Sequence, residues 1–287
     1  MEKHRLSGQE WLERFVLAVL FIALGALIII VFSPLRPVLD KLPDYLGRIG
    51  LGIILLILVL VSKKCKSLER YHPIPLGLLI LLISVSLSWI FAIYLLSYVG
   101  VNDTSPAGFS LLKLNEALIS VGVVILMTKM SGNNPGSIYI QKGNLKQGLL
   151  IGSIAFLIAA IGAPFIAPVL FQARDLTFAR IVGWLPWILI FVFANASLEE
   201  ILYRGLFLRK LEPFFGKFLS SFLIAFVFTV LHLGVTYTVN QYIFLAILVP
   251  LALVWGWITQ KTDSVWGSIL FHAGMDIPVI LGIFSNL

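Results

Sequence analysis

A chain of 287 residues that is 59% hydrophobic and only 12% charged is not an ordinary soluble domain, in which about a quarter of residues carry charge. It reads as an all-α polytopic membrane protein. Its net charge of +7 comes with no basic stripe interleaved with aromatic residues, so no nucleic-acid partner is expected, and the sidedness of Lys and Arg around a bilayer is the first explanation.

The apolar runs fall at residues 11–32, 47–61, 74–99, 111–127, 145–171, 181–208, 218–235, 242–259 and 265–287. Because about 20 residues cross the hydrocarbon, these predict eight or nine transmembrane helices. The first run is long, lacks a small-residue cleavage site and is followed by "SPLRP", so it does not read as a signal peptide. The fourth, "LLKLNEALISVGVVILM", carries Lys113, Asn115 and Glu116 and reads as lying partly in the interface. Cys65, in "SKKCKS", is the single cysteine; it excludes an intrachain disulfide and reads as a surface thiol.

The segments "SKKCKSLER", "MTKMSGNNPGSIYIQKGNLK" and "RKLEPFFGK" are rich in Lys and Arg, whereas "YVGVNDTSPAG" and "GVTYTVNQ" carry no positive charge. The first group is therefore expected to be cytoplasmic. The stretch 129–146, with Asn133, Asn134, Pro135 and Gly136, reads as a linker. It divides an amino-terminal group of helices, 1–144, from a carboxy-terminal group, 145–287. Neither an internal repeat nor a low-complexity tract is visible.

Ionisable residues inside apolar spans are costly and call for a partner or a task. Glu199, Glu200 and Arg204 lie on one predicted span, His232 on the next, and His272 with Asp276 on the last; the other histidines, His4 and His72, fall in polar flanks. Counted from the flanking charges at 1.5 Å per residue, Glu199, His232 and His272 lie about 13 to 22 Å from the cytoplasmic boundary, a common layer. Glu200 and Arg204 share a helix face, as do Phe228 and His232, and His272 and Asp276. Glu199 and Glu200 point about 100° apart. If Arg204 neutralises Glu200, Glu199 is the free carboxylate.

A carboxylate beside two imidazoles in a low-dielectric cavity is equipment for activating water, with the carboxylate taking the proton and a histidine orienting the nucleophile or stabilising negative charge. Glu199, His232 and His272 can alternatively hold a divalent metal such as zinc through carboxylate oxygen and imidazole nitrogen. Both routes point to hydrolysis.

These residues carry a resemblance. "EEILYR" (199–204) fits EExxxR, "FTVLH" (228–232) fits FxxxH and "HAGMD" (272–276) fits HxxxN/D, in an order that resembles the CPBP family of intramembrane proteases. That family includes type II CAAX prenyl endopeptidases and bacterial relatives linked to bacteriocin processing or self-immunity. The resemblance spans roughly residues 181–287. It implies about eight helices around an intramembrane catalytic cavity, an endopeptidase acting on a lipid-embedded peptide or lipidated protein, and a multi-pass protein of a bacterial cell membrane with cytoplasmic motif-side loops. Glu199 and His232 would activate water, Arg204 would hold Glu200, and His272 with Asp276 would line the oxyanion side. Family members are commonly named metalloproteases, and a metal-free glutamate mechanism has also been proposed for them. Prenyl-protein members generally have asparagine where this chain has Asp276, and an ionised aspartate donates no hydrogen bond to an oxyanion.

Plainer readings stand beside these. A Glu-Glu-x-x-x-Arg segment is often a solvated helix end, Phe228 is by default core, and His232 alone can be a helix contact. Trp184, Trp187, Trp255, Trp257 and Trp266 read as an aromatic belt near span ends, and Pro250 and Pro278 as kinks. Two other functional classes compete with the protease: a non-catalytic immunity or scaffold protein on the same fold, and a proton-coupled secondary transporter, which would show repeated architecture.

Overall fold

The computed structural model describes residues 7–32, 38–98 and 100–287, with only the backbone described for 92–97; His4, Val99 and the "SPLRP" segment lie outside them. Among the described residues there is no strand. The helices are α1 (Gly8–Ala26), α2 (Lys41–Lys64), α3 (Pro73–Tyr98), α4 (Pro106–Met130), α5 (Leu145–Leu170), α6 (Phe178–Glu200), α7 (Leu206–Leu231), α8 (Gln241–Thr262) and α9 (Trp266–Ser285), with π turns at Leu27–Val31 and Ile201–Gly205. Their starts follow local chemistry: Ser7, Ser105, Asn144, Thr177 and Asn240 each accept a backbone N–H of the first turn.

Eight helical stretches among the described residues are long and apolar enough to cross a membrane. One of them, Phe178–Leu231, joins α6, the second π turn and α7. It is not a single crossing. Gly216 breaks α7 with φ 71° and ψ 174°, in a region that favours glycine, and the ring of Tyr203 meets that of Phe228 at 5.1 Å. Contact between residues on either side of Gly216 requires the chain to fold back there. The returning arm, residues 217–231, is about 22 Å long at 1.5 Å per residue, less than the roughly 30 Å of hydrocarbon. Nine apolar runs and eight spanning stretches therefore describe the same chain.

The core is built around α9, which packs on α5, α6 and α8. Its approach to α5 is close because small residues face each other: a Cβ on Gly152 would lie 2.6 Å from the Gly267 carbonyl oxygen. The helix α4 packs on both α3 and α6, so contacts run across the position that divides 1–144 from 145–287. By length and composition α4 is one of the eight stretches able to cross a membrane, with Lys113, Asn115 and Glu116 in its first half. Those charges are accommodated because Lys113 Nζ donates to Glu116 Oε2 at 2.6 Å, which removes the cost of burying either one alone.

A second buried pair escaped the sequence reading. The helix α2 begins before the apolar run at 47–61 and encloses Asp44 and Arg48, whose Nε donates to Asp44 Oδ2 at 2.8 Å. Arg48 also donates to Ser86 and to the Phe32 carbonyl, and its guanidinium lies 5.0 Å from the Trp89 ring centroid.

The Lys- and Arg-rich segments gather at one end of the bundle. There Tyr71 stacks on Phe214, the Tyr139 hydroxyl donates to Glu212, Gln260 donates to Glu212 and to the Lys217 carbonyl, and Arg209 pairs with Asp263. Burial first, and the Glu212 carboxylate second, push the Tyr139 hydroxyl above its ordinary range, so it remains a donor. Cys65, at the end of α2, is exposed. At the other end Val239 N–H donates to the Leu170 carbonyl and Arg174 N–H to Ser285.

Candidate active site

The site is built from the end of α6 outward. Glu199 and Glu200 close that helix, and the following five residues form the second π turn, a wide turn that places Arg204 back over Glu200. Arg204 Nη1 donates to Glu200 Oε1 at 2.9 Å with both side chains buried. Its Nη2 donates to the Ala252 carbonyl at 3.2 Å, and its guanidinium lies 4.5 Å from the Phe228 ring centroid. Glu200 is thus fixed by Arg204, as its spacing predicts.

Glu200 has a second task that the spacing did not suggest. The same Oε1 lies 2.8 Å from His272 Nδ1. The other ring nitrogen of His272, Nε2, faces Glu199 Oε2 at 3.4 Å and Asp276 Oδ1 at 3.7 Å. When His272 carries protons on both nitrogens, each N–H has a carboxylate to meet. The imidazole is held flat against Trp255, with ring centroids 3.9 Å apart and planes 10° from parallel. Trp255 is 1% exposed in the interior of α8, which corrects its assignment to the aromatic belt: it is a wall of the site. Trp257 and Trp266 are exposed, as a lipid-facing position requires.

His232 stands apart from this cluster. Its Nδ1 is 2.8 Å from the Phe228 carbonyl oxygen, one turn back on its own helix. That bond places a proton on Nδ1 and leaves Nε2 as an acceptor. Phe228 lies between the two imidazoles, 4.7 Å from His232 and 5.9 Å from His272 by ring centroids. No direct hydrogen bond or ion pair joins His232 to Glu199. Consistent with that, no three His, Cys, Asp or Glu side chains among the described residues are grouped to hold a metal ion, so Glu199, His232 and His272 do not converge as a ligand set.

Glu199 retains 20% side-chain exposure, whereas Glu200 has none. It opens onto a cavity of about 100 Å³ lined by Leu81, Ser88, Lys113, Glu116 and Tyr203 among others. Its lining surface is mostly apolar, with Glu199, Lys113, Glu116, Ser88, Ser120 and Tyr203 as the polar members, and its size leaves room for a few waters. Lys113 is near enough for its charge to act on Glu199 and on Asp276, and the Ser88 hydroxyl, buried and without a partner, faces the same space. The amino-terminal helices thus contribute α3 and α4 as one wall of the site.

Asn195, one turn before Glu199 on α6, was also missed. Its Nδ2 donates to Asp276 Oδ2 at 3.0 Å. An asparagine four residues ahead of a glutamate inside an apolar span was the available signal.

Two of the three motifs, those ending in Arg204 and Asp276, thus meet around His272, and the third, ending in His232, lies beside them across Phe228. Residues 181–278 match the family described as Rce1-like, type II CAAX prenyl endopeptidase Rce1-like, and over that segment the chain is similar to it. The helices α1 to α5 lie outside the match. No curated protein and no solved structure matches the chain.

Proposed function

We propose that this protein is an intramembrane endopeptidase that hydrolyses a peptide bond of a membrane-associated or lipidated polypeptide. The observation that carries this reading is a carboxylate, Glu199, that opens onto a cavity shared with Lys113 and Glu116, beside an imidazole backed by a second, arginine-locked carboxylate. Glu199 takes a proton from water. The water oxygen attacks the scissile carbonyl carbon, the carbonyl π pair moves onto oxygen, and His272 Nε2–H faces the developing charge. Collapse of the tetrahedral intermediate expels the amine, which receives the proton from Glu199. His232, with Nδ1–H given to the Phe228 carbonyl, uses its Nε2 lone pair to orient the water. Glu200 and Arg204 fix the imidazole by holding Nδ1.

The donors named for a metal do not converge, so no step is routed through one. The mechanism as written expects turnover to survive exhaustive chelation. The Lys- and Arg-rich end of the bundle lies in the cytoplasm by the positive-inside rule, which puts the site in reach of substrates from that side of a bacterial cell membrane, with lipid around α1 and α2.

The test is cleavage of a peptide library in proteoliposomes. The unaltered chain should cut, Glu199→Ala should not, and both should melt at similar temperatures. Tight binding of a partner polypeptide with no cleavage would instead favour an immunity or scaffold role, and proton-coupled uptake with no cleavage a transporter.

A further inference from the structure

We propose that Asn195 is the amide donor of this site, with Asp276 as the residue that positions it. The inference rests on the hydrolase reading. Its starting point is Asp276, a carboxylate beside His272 Nε2 that donates nothing when ionised. The structure shows an amide supplied from the opposite helix. Asn195 Nδ2 lies 3.0 Å from Asp276 Oδ2, and the orientation follows from chemistry, since the amide oxygen would otherwise face a carboxylate oxygen.

Three features place this amide at the reaction. Asn195 and Glu199 are one turn apart on α6 and share a face. Asp276 Oδ1 is 3.7 Å from His272 Nε2, which in turn is 3.4 Å from Glu199 Oε2. The bond to Asp276 uses one of the two N–H groups on Asn195 Nδ2, and the side chain is half-buried. A carboxylate that accepts one N–H of an amide fixes its plane and leaves the other N–H to donate. When water adds to the scissile carbonyl, the C=O π pair becomes an alkoxide lone pair. Asn195 N–H and His272 Nε2–H are the two donors that meet it. The amide on α6 and the acid on α9 thus act as a pair.

The members of the pair can be altered singly and swapped. With the full chain in proteoliposomes and a peptide it cleaves, Asn195→Ala should lower kcat by about 10²- to 10³-fold, the usual cost of one oxyanion donor, with KM within about threefold of the unaltered value. In an Asp276→Asn background the same Asn195→Ala change should cost less than about tenfold. The reciprocal double variant, Asn195→Asp with Asp276→Asn, should recover at least about tenfold over Asn195→Ala, although each of its positions is altered. A purely structural role for Asn195 would move melting temperature and kcat together and would give no rescue by exchange. Should Asn195→Ala not fold, Asn195→Leu keeps the shape without the amide and is read against the same backgrounds. Near-normal kcat in the Asn195 variant, or an equal cost in both backgrounds, overturns the inference while leaving the protease intact. Failure of the unaltered chain to cleave any peptide overturns the protease and the inference with it.

Discussion

Two acid–arginine pairs, both spaced i and i+4 and both buried, lie in this molecule, and only one is part of a site. On α2, Arg48 pairs with Asp44, donates to the Phe32 carbonyl and lies over Phe32 and Trp89. At the second π turn, Arg204 pairs with Glu200, donates to the Ala252 carbonyl and lies over Phe228 and Trp255. The parts are nearly identical. The difference is in what remains unmet: every nitrogen of Arg48 that can donate has a partner, while Arg204 Nε and Glu200 Oε2 have none and Glu200 reaches on to His272. A buried ion pair is therefore weak grounds for function by itself. What marks the second pair is that it leads, through an imidazole, to a carboxylate open to water.

Substitutions test that contrast. The largest effect is expected from Glu199→Gln, which removes the base at the open end of the chain of contacts. Turnover should fall by about 10²- to 10⁴-fold with melting temperature nearly unchanged, as read from proteoliposome cleavage and a thermal scan of the same samples; wild-type turnover would falsify the assignment of the base. Next come the arginines. Arg204→Met and Arg48→Met each strand a buried carboxylate and should each lower stability by about 3–5 kcal/mol. Only Arg204→Met should also reduce turnover per folded molecule, and equal activity loss in both would erase the distinction. His232→Gln follows, with a loss of about 10²-fold in kcat and little change in stability. The smallest effect is expected from Ser86→Ala, which removes one partner of Arg48: about 1 kcal/mol of stability, measured by denaturation, with kcat unaltered.

Much of this was visible in the residues. The helical class followed from composition, and the six motif positions stood out because charge inside an apolar run is expensive wherever it lies. Other parts were hidden for physical reasons. Lys113 and Glu116 cancel each other at i and i+3, so they looked like an interface, and only the packing of α4 on α6 shows that they face Glu199. Asp44 precedes the apolar run on α2 and Arg48 stands at its first turn, so the two passed for a polar flank. Trp255 was grouped with other tryptophans by its distance from a span end, although its contact with His272 is tertiary. The π turn and the reversal at Gly216 depend on which helices the segment meets, information that local spacing does not hold.

The short returning arm has a consequence for biogenesis. Residues 217–231 cannot reach across a bilayer by themselves, and the carbonyls at their end are served by His232 and Gln241 side chains instead of headgroup water. The arm takes its place from the half of the segment before Gly216, through Tyr203 and Arg204 against Phe228, so the two halves are expected to enter lipid together, with the terminal histidine carried to its depth on its neighbour.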